Sequence, residues 1–302
     1  MKKVITFVLL FVIVLNNVPF PSFHESYAAT ISSEGAELSP EQVLSVAYDK
    51  LSSLSSVRVE MNMKVEEELS FILEKVSAPM TVSFSSILEY QREPLRTFSQ
   101  NAASVSFLDA ASDQDVLLYC GRDSSLMFYY SIDNGASWYS IEYGETGLAP
   151  LDMVTHIIRD ATGFDRVGTE PVNSRDTAVY TGIAKGENAN RLIRLFRVFN
   201  LHGADSMSEV FVNTSVTAED LNKLGDIPVS LYIDCETGLP IRCTLDLTVV
   251  LGPLMRDGAL SIFNMRKEEM EVVIPSIVVD CYLSQFNSVA TFDIPENVRS
   301  GS

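Results

Sequence analysis

The sequence predicts an α+β protein built on an antiparallel β-sheet, and three observations predict it. Residues Val57 to Glu66 alternate apolar and polar side chains without interruption, the period of a strand with one dry and one wet face. Strands of that kind belong to antiparallel sheets solvated on one side. Further runs rich in Val, Phe, Tyr and Leu follow at short spacing, separated by turn-forming residues. Helical patterns are few, and the sharpest precedes the first strand.

Taken in order, Lys2 and Lys3 precede a twelve-residue run, Val4 to Leu15, broken only by Thr6. Ser26-Tyr27-Ala28 then supplies small residues at the positions a signal peptidase requires, so 1–28 reads as a secretory signal cleaved after Ala28. The run is too short for a membrane-spanning helix, which needs about 20 residues. No second long apolar run exists, so no transmembrane segment is expected in the mature protein. Residues 29–38 read as a flexible tail, and 39–302 as a single domain with no Pro/Gly/Ser-rich linker.

Ser39-Pro40-Glu41-Gln42 opens a helix: Ser39 caps, Pro40 suits the first helical position and Gln42 completes a capping box. Val43, Val46, Ala47 and Leu54 form its expected inner stripe. After the strand at Val57–Val65, Glu66-Glu67-Glu68 reads as a solvated strand end. Strands follow at Met80–Tyr90, Leu95–Phe107, Val116–Cys120, Leu126–Ile132 and Trp138–Tyr143. Pro150–Ala161 reads as a helix stopped by Gly163. Asp165–Val172 and Thr177–Ile183 flank an Asn173-Ser174-Arg175-Asp176 turn. A second long helix is expected at Ala189–Leu201, an irregular stretch at 203–216 and a short helix from Thr217. Ile227–Ile233 and Ile241–Val250 make a hairpin around Glu236-Thr237-Gly238, an insertion occupies 251–268, and strands at 269–274 and 277–286 end the sheet. No period of about 20 to 50 residues recurs, which excludes a solenoid or propeller array.

Charge narrows the function. With 22 Lys+Arg against 40 Asp+Glu the formal net charge is −18. That balance opposes nucleic-acid binding, which needs basic stripes, and opposes electrostatic docking on an anionic membrane. Catalytic signatures are thin. His156 and His202 stand alone without ligand spacing, so no metal site is expected. No nucleophile elbow, phosphate loop, dinucleotide fingerprint or calcium loop is present. The expectation is therefore a protein that is not an enzyme, with no catalytic residue, cofactor or metal.

One textual motif stands out. Ser131-Ile132-Asp133-Asn134-Gly135-Ala136-Ser137-Trp138 matches the Asp-box pattern of sialidases, in which a single copy reads as a stabilised hairpin. A glycosidase is the remote alternative. Four cysteines, Cys120, Cys235, Cys243 and Cys281, allow three full pairings. Export permits disulfides, but Cys243 and Cys281 sit on the apolar side of their strands and read equally as buried thiols.

The order of elements resembles the secreted and lipoprotein families of the LolA/LppX-like (lipoprotein-localisation-factor-like) fold, in their Gram-positive branch. The resemblance is carried by Ser39-Pro40-Glu41-Gln42, Val57–Val65, Glu93-Pro94-Leu95, Trp138-Tyr139, Gly168–Asn173 with Tyr180-Thr181-Gly182, Leu231–Asp234 with Glu236–Pro240, and Ile294–Val298. It implies a curved antiparallel sheet, an unclosed half-barrel, with helices packed on its concave face. It also implies a lipid or a lipoprotein acyl chain as partner. The chain departs from the family in lacking a lipobox Cys and in apparent insertions near 100–115 and 251–268.

The expected function is thus extracytoplasmic, non-enzymatic binding of a hydrophobic ligand. The candidate lining is Val59, Met61, Met63, Phe84, Phe128 and Tyr130, where flexible thioethers suit varied ligand shapes. Two readings compete with it. These side chains could simply fill a core, or the protein could be an interaction or stress-sensing module for an envelope protein, without a small-molecule ligand.

Overall fold

The computed structural model describes residues 38–73, 75–107, 110–122, 126–142, 161–184, 225–250, 252–253, 256, 260 and 265–300. The expected signal segment, all but the end of the tail, and the helices expected at 189–201 and from Thr217 lie outside them. So do His156, His202 and the expected helix at 150–161 except its last residue.

Helix α1 (Pro40–Ser52) begins as its sequence dictates. The Ser39 side chain accepts from the Gln42 amide at 3.4 Å while the Gln42 side chain accepts from the Ser39 amide at 2.9 Å. Its inner stripe is turned by one residue from the expected one. Leu44, Ala47 and Leu51 are buried in the main core, while Val43 and Val46 are only partly covered.

Among the described residues eleven strands follow: β1 (Ser56–Phe71), β2 (Val76–Gln91), β3 (Arg96–Phe107), β4 (Ala110–Arg122), β5 (Leu126–Ser131), β6 (Tyr139–Glu142), β7 (Ala161–Val172), β8 (Arg175–Ala184), β9 (Ile227–Asp234), β10 (Pro240–Asp246) and β11 (Met270–Ser284). They form one unclosed sheet in the order β6-β5-β4-β3-β2-β1-β11-β10-β9-β8-β7, antiparallel throughout. Two consecutive meanders, β1–β6 and β7–β11, are joined where the first strand pairs with the last.

One face of this sheet holds the main core. Val57, Val59, Met61, Met63, Val65 and Leu69 of β1 share a cluster with Val82 and Phe84 of β2 and Val279 of β11. The opposite face is apolar mainly at the β4–β5 end. There Leu117, Tyr119 and Met127 alternate with the inward Leu118, Cys120 and Phe128, and are covered by Trp138, Ile294 and Val298. The C-terminal segment, ending in the short helix α2 (Glu296–Ser300), lies over that patch. Buried Arg96 ties it down through Asp293 at 2.8 Å.

Four expectations are corrected. The strand expected from Val116 begins already at Ala110: β3 and β4 pair without a break from Arg96 and Gly121 to Phe107 and Ala110. Ala161 begins a strand rather than ending a helix, and the positive φ of Gly163 (66°) falls within β7 where its register with β8 shifts. Strand β10 stops at Asp246 because that side chain accepts from the Thr248 amide at 3.0 Å and turns residues 248–250 into a helical turn. The strands expected at 269–274 and 277–286 are one. Pro275, which has no N–H to give a ladder, is absorbed by a register shift opposite Glu67, between the pairs Glu66–Ser276 and Glu68–Val273.

The same register corrects the reading of the glutamate run. Glu66 and Glu68 are exposed, but Glu67 is 4% exposed, on the same face as Val65 and Leu69. The period of two does not stop at Val65. It runs through the glutamate.

Candidate functional site

Strand β1 supplies the centre of the candidate face, since it lies mid-sheet with neighbours on both sides. Its pairing with β2 sets Val59 against Leu88, Met61 against Ser86 and Met63 against Phe84. On the other side Met61 faces Cys281 and Met63 faces Val279. Val59, Met61, Met63 and Phe84 therefore come together in one cluster, each 5% exposed or less. Phe128 and Tyr130 do not join them. They sit on β5, four strands from β1 and three from β2, Phe128 with Leu118, Cys120 and Leu126, and Tyr130 stacked on Tyr139 at 5.3 Å between ring centres.

Buried polar side chains interrupt this face, and they differ in how they are satisfied. On β2 and β3, the Ser86 hydroxyl donates to Asn101 Oδ1 at 2.9 Å. Asn101 Nδ2 donates in turn to Ser99 Oγ at 3.0 Å and to the Val116 carbonyl at 3.1 Å. All three side chains are buried and bonded, as buried polar groups must be. Glu67 is ionisable and differs: its Oε2 is buried with no hydrogen-bond partner among the described residues. Burial alone pushes its carboxyl up from 4.5 to about 7. Read as a run, the three glutamates hide this residue. Extending the alternation two residues past Val65 identifies it.

The opposite face carries a groove of about 790 Å³ over β1–β4 and β11. Lys64, Glu66, Ser83, Ser85, Asp113 and Asp115 contribute to its wall. Polar side chains dominate this trough, but the candidates Met63 and Phe84 also contribute to it. Further along that face Arg242 lies over the rings of Tyr232 and Tyr282, at 4.7 and 5.3 Å, and bonds Asp280.

The Asp-box sequence forms a local turn. Asp133 Oδ1 accepts from the Ser131 hydroxyl at 2.7 Å and the Ser137 amide at 2.8 Å, and Ser131 Oγ accepts from the Gly135 amide at 2.8 Å. These bonds hold the Asp133 carboxyl below the usual range. Gly135 takes φ +87° beneath the Trp138 ring. All four cysteines are free. Cys243 and Cys281 face each other across the β10–β11 ladder, both buried. Among the described residues no three potential ligands converge on a metal position, and no described helix is long and apolar enough to cross a membrane.

No family model matches the chain, and no curated protein does. Among solved structures the chain is similar to the lipoprotein LppX of Mycobacterium tuberculosis, at 13% identity and TM-score 0.41, over 84% of this chain and all of that one. It is also similar to LprF of Mycobacterium bovis, at 14% identity and TM-score 0.44, over 84% of this chain and 96% of that one. Likeness at this level says nothing of ligand or activity.

Proposed function

We propose that this chain is an extracytoplasmic, non-enzymatic binding protein for a hydrophobic ligand, a lipid or a lipoprotein acyl chain, within the LolA/LppX-like fold. The observation that carries the reading is the architecture itself. An unclosed sheet presents one apolar face across its central strands, and Met61, Met63 and Phe84 meet at its middle. An open sheet can part from what covers it without breaking its ladder, and thioether side chains adapt to varied hydrocarbon shapes. The N-terminal export signal expected from the sequence supports a location outside the cytoplasm.

Native purification followed by native mass spectrometry tests this. A lipid that co-purifies and is lost on organic extraction is the expected result, and restoring it should raise the melting temperature, since only the folded state offers the face. A delipidated protein that melts identically with and without a broad lipid panel would sink the carrier reading.

The polar trough supports a second reading, an envelope interaction module that binds a polar partner on the opposite face. In that case substitution of Asp113 and Asp115 by Asn would weaken the interaction and leave lipid content unchanged.

A further inference from the structure

Glu67 is a carboxylate on a hydrocarbon-like surface, and no described residue bonds its Oε2. That oxygen is buried and the residue is 4% exposed. On that face it stands between Val65 and Leu69 of its own strand, opposite Met80, which lies between Ala78 and Val82 on β2. On β11 the neighbours are Val272, Ile274 and Ile277, around the register shift at Pro275. None of these ionises. Glu66 and Glu68 point to the other face. Arg256 approaches the same stretch of β11 but gives its Nε to the Val272 carbonyl at 3.3 Å. Burial raises the Glu67 carboxyl, with no charge among the described residues contributing.

A buried ion without a partner is costly, and proteins place one where something pairs with it. An ionised carboxylate only accepts hydrogen bonds, so the partner must donate. A fatty-acid head would set a second negative charge beside it. A hydroxyl would bond but leave the charge uncompensated. An ammonium head donates and neutralises at once, and charge-assisted bonds of this kind are about twice as strong as neutral ones. The net charge of −18 also draws cations toward the protein.

We propose that Glu67 is the head-group anchor of the apolar face, receiving the protonated amine of a long-chain amphiphile whose hydrocarbon runs along β1 past Val65 and Met63 to Met61. Six residues of strand, at about 3.3 Å each, give the chain a path of about 20 Å. The inference rests on the hydrophobic-ligand reading above and adds the chemical class of the head group.

The test titrates delipidated protein calorimetrically with hexadecylamine, hexadecanol and hexadecanoic acid at pH 8. The amine is expected to bind about tenfold or more tightly than the alcohol, the scale of one charge-assisted bond. The acid should bind most weakly. In Glu67→Gln, whose fold is checked by urea unfolding, the amine should lose its preference while the alcohol binds as before. At pH 5, where the carboxyl takes up its proton, the wild-type preference should shrink in the same way. Equal binding of all three heads, or an amine preference that survives in Glu67→Gln, overturns the anchor and leaves hydrophobic binding standing. Failure of all three to bind overturns both.

Discussion

Replacing Glu67 by Gln should stabilise the ligand-free protein in alkaline but not in acidic solution. Burial lifts the folded-state carboxyl from 4.5 to about 7, so the folded chain holds its proton more tightly than the unfolded chain. The stability tied to that proton is fully present below about pH 4.5, declines as pH rises, and is gone above about pH 7. Each pH unit between the two values is worth about 1.4 kcal/mol, so ionisation costs the wild-type fold about 3 kcal/mol. Glutamine keeps the shape and polarity of the protonated acid and never ionises. Urea unfolding of both proteins at pH 4.5 and pH 8 reads the effect, and the difference between them cancels the remaining carboxylates. The two should be nearly equally stable at pH 4.5, and the variant should be about 3 kcal/mol more stable at pH 8 with an unchanged denaturant slope. A difference that is the same at both pH values would refute the reasoning, because it would mean that Glu67 meets water or a cation when folded.

Other outcomes follow from the same structure. Trp138→Ala should cost about 3 kcal/mol or more in urea unfolding, because the indole is 7% exposed and packs on Tyr119 at 5.5 Å. Asp133→Ala should lower the melting temperature by releasing the Ser131 and Ser137 donors; loss of sialoside hydrolysis without a change in melting would contradict its turn role. Of the four thiols, exposed Cys235 should react with a thiol reagent in the native protein. Cys120 and Cys281, pushed up to about 12 by burial, and Cys243, raised for the same reason, should react only after denaturation. Two reactive thiols instead of four after denaturation would identify a bridge, and Cys243 with Cys281 is the pair to map first. Asp293, held down to about 2 chiefly by its bond to Arg96, contributes stability above its ordinary 3.8 that is lost as pH falls toward 2. Asp293→Asn should flatten that acid limb, measured by circular dichroism, and weaken the fold at neutral pH by leaving Arg96 without its carboxylate.

What was legible in the sequence was what depends on neighbours along the chain. The Ser39–Gln42 capping box and the alternation of β1 are local patterns and appear where the sequence puts them. So does the Asn173-Ser174 turn, with φ +50° and +63°. What was illegible depends on partners far along the chain. Pro275 reads as a strand breaker until β1 is set beside it, when it becomes a shift within one long strand. The outer stripe Leu117, Tyr119 and Met127 reads as the solvent face until the C-terminal segment covers it. In the candidate lining, alternation gave the side of each strand but not strand order. Met63 and Phe84 therefore landed together, while Phe128 and Tyr130, chosen by composition, landed in another cluster.

The pairing of β1 with β11 has a consequence for how this protein comes into being. Along the chain the two strands are the first and last of the sheet, yet Arg58 pairs with Ser284 at its centre. As the chain emerges, β1 to β6 can meander together using short loops, whereas β7 to β11 carry long connections between β8 and β9 and between β10 and β11. Throughout that time β1 offers one bare ladder edge, with nothing to pair until nearly the whole chain is available. Long-range pairings of this kind close slowly, and a sixteen-residue strand with an open edge and an apolar face is a template for wrong partners. The last residues finish the assembly: Asn287 accepts from the Ser55 amide at 2.7 Å, Phe292 donates to Gln91, and Asp293 reaches Arg96. A chain truncated before β11 would therefore lose the seam that joins its two halves rather than an edge, and each half would be left with an unpaired inner strand.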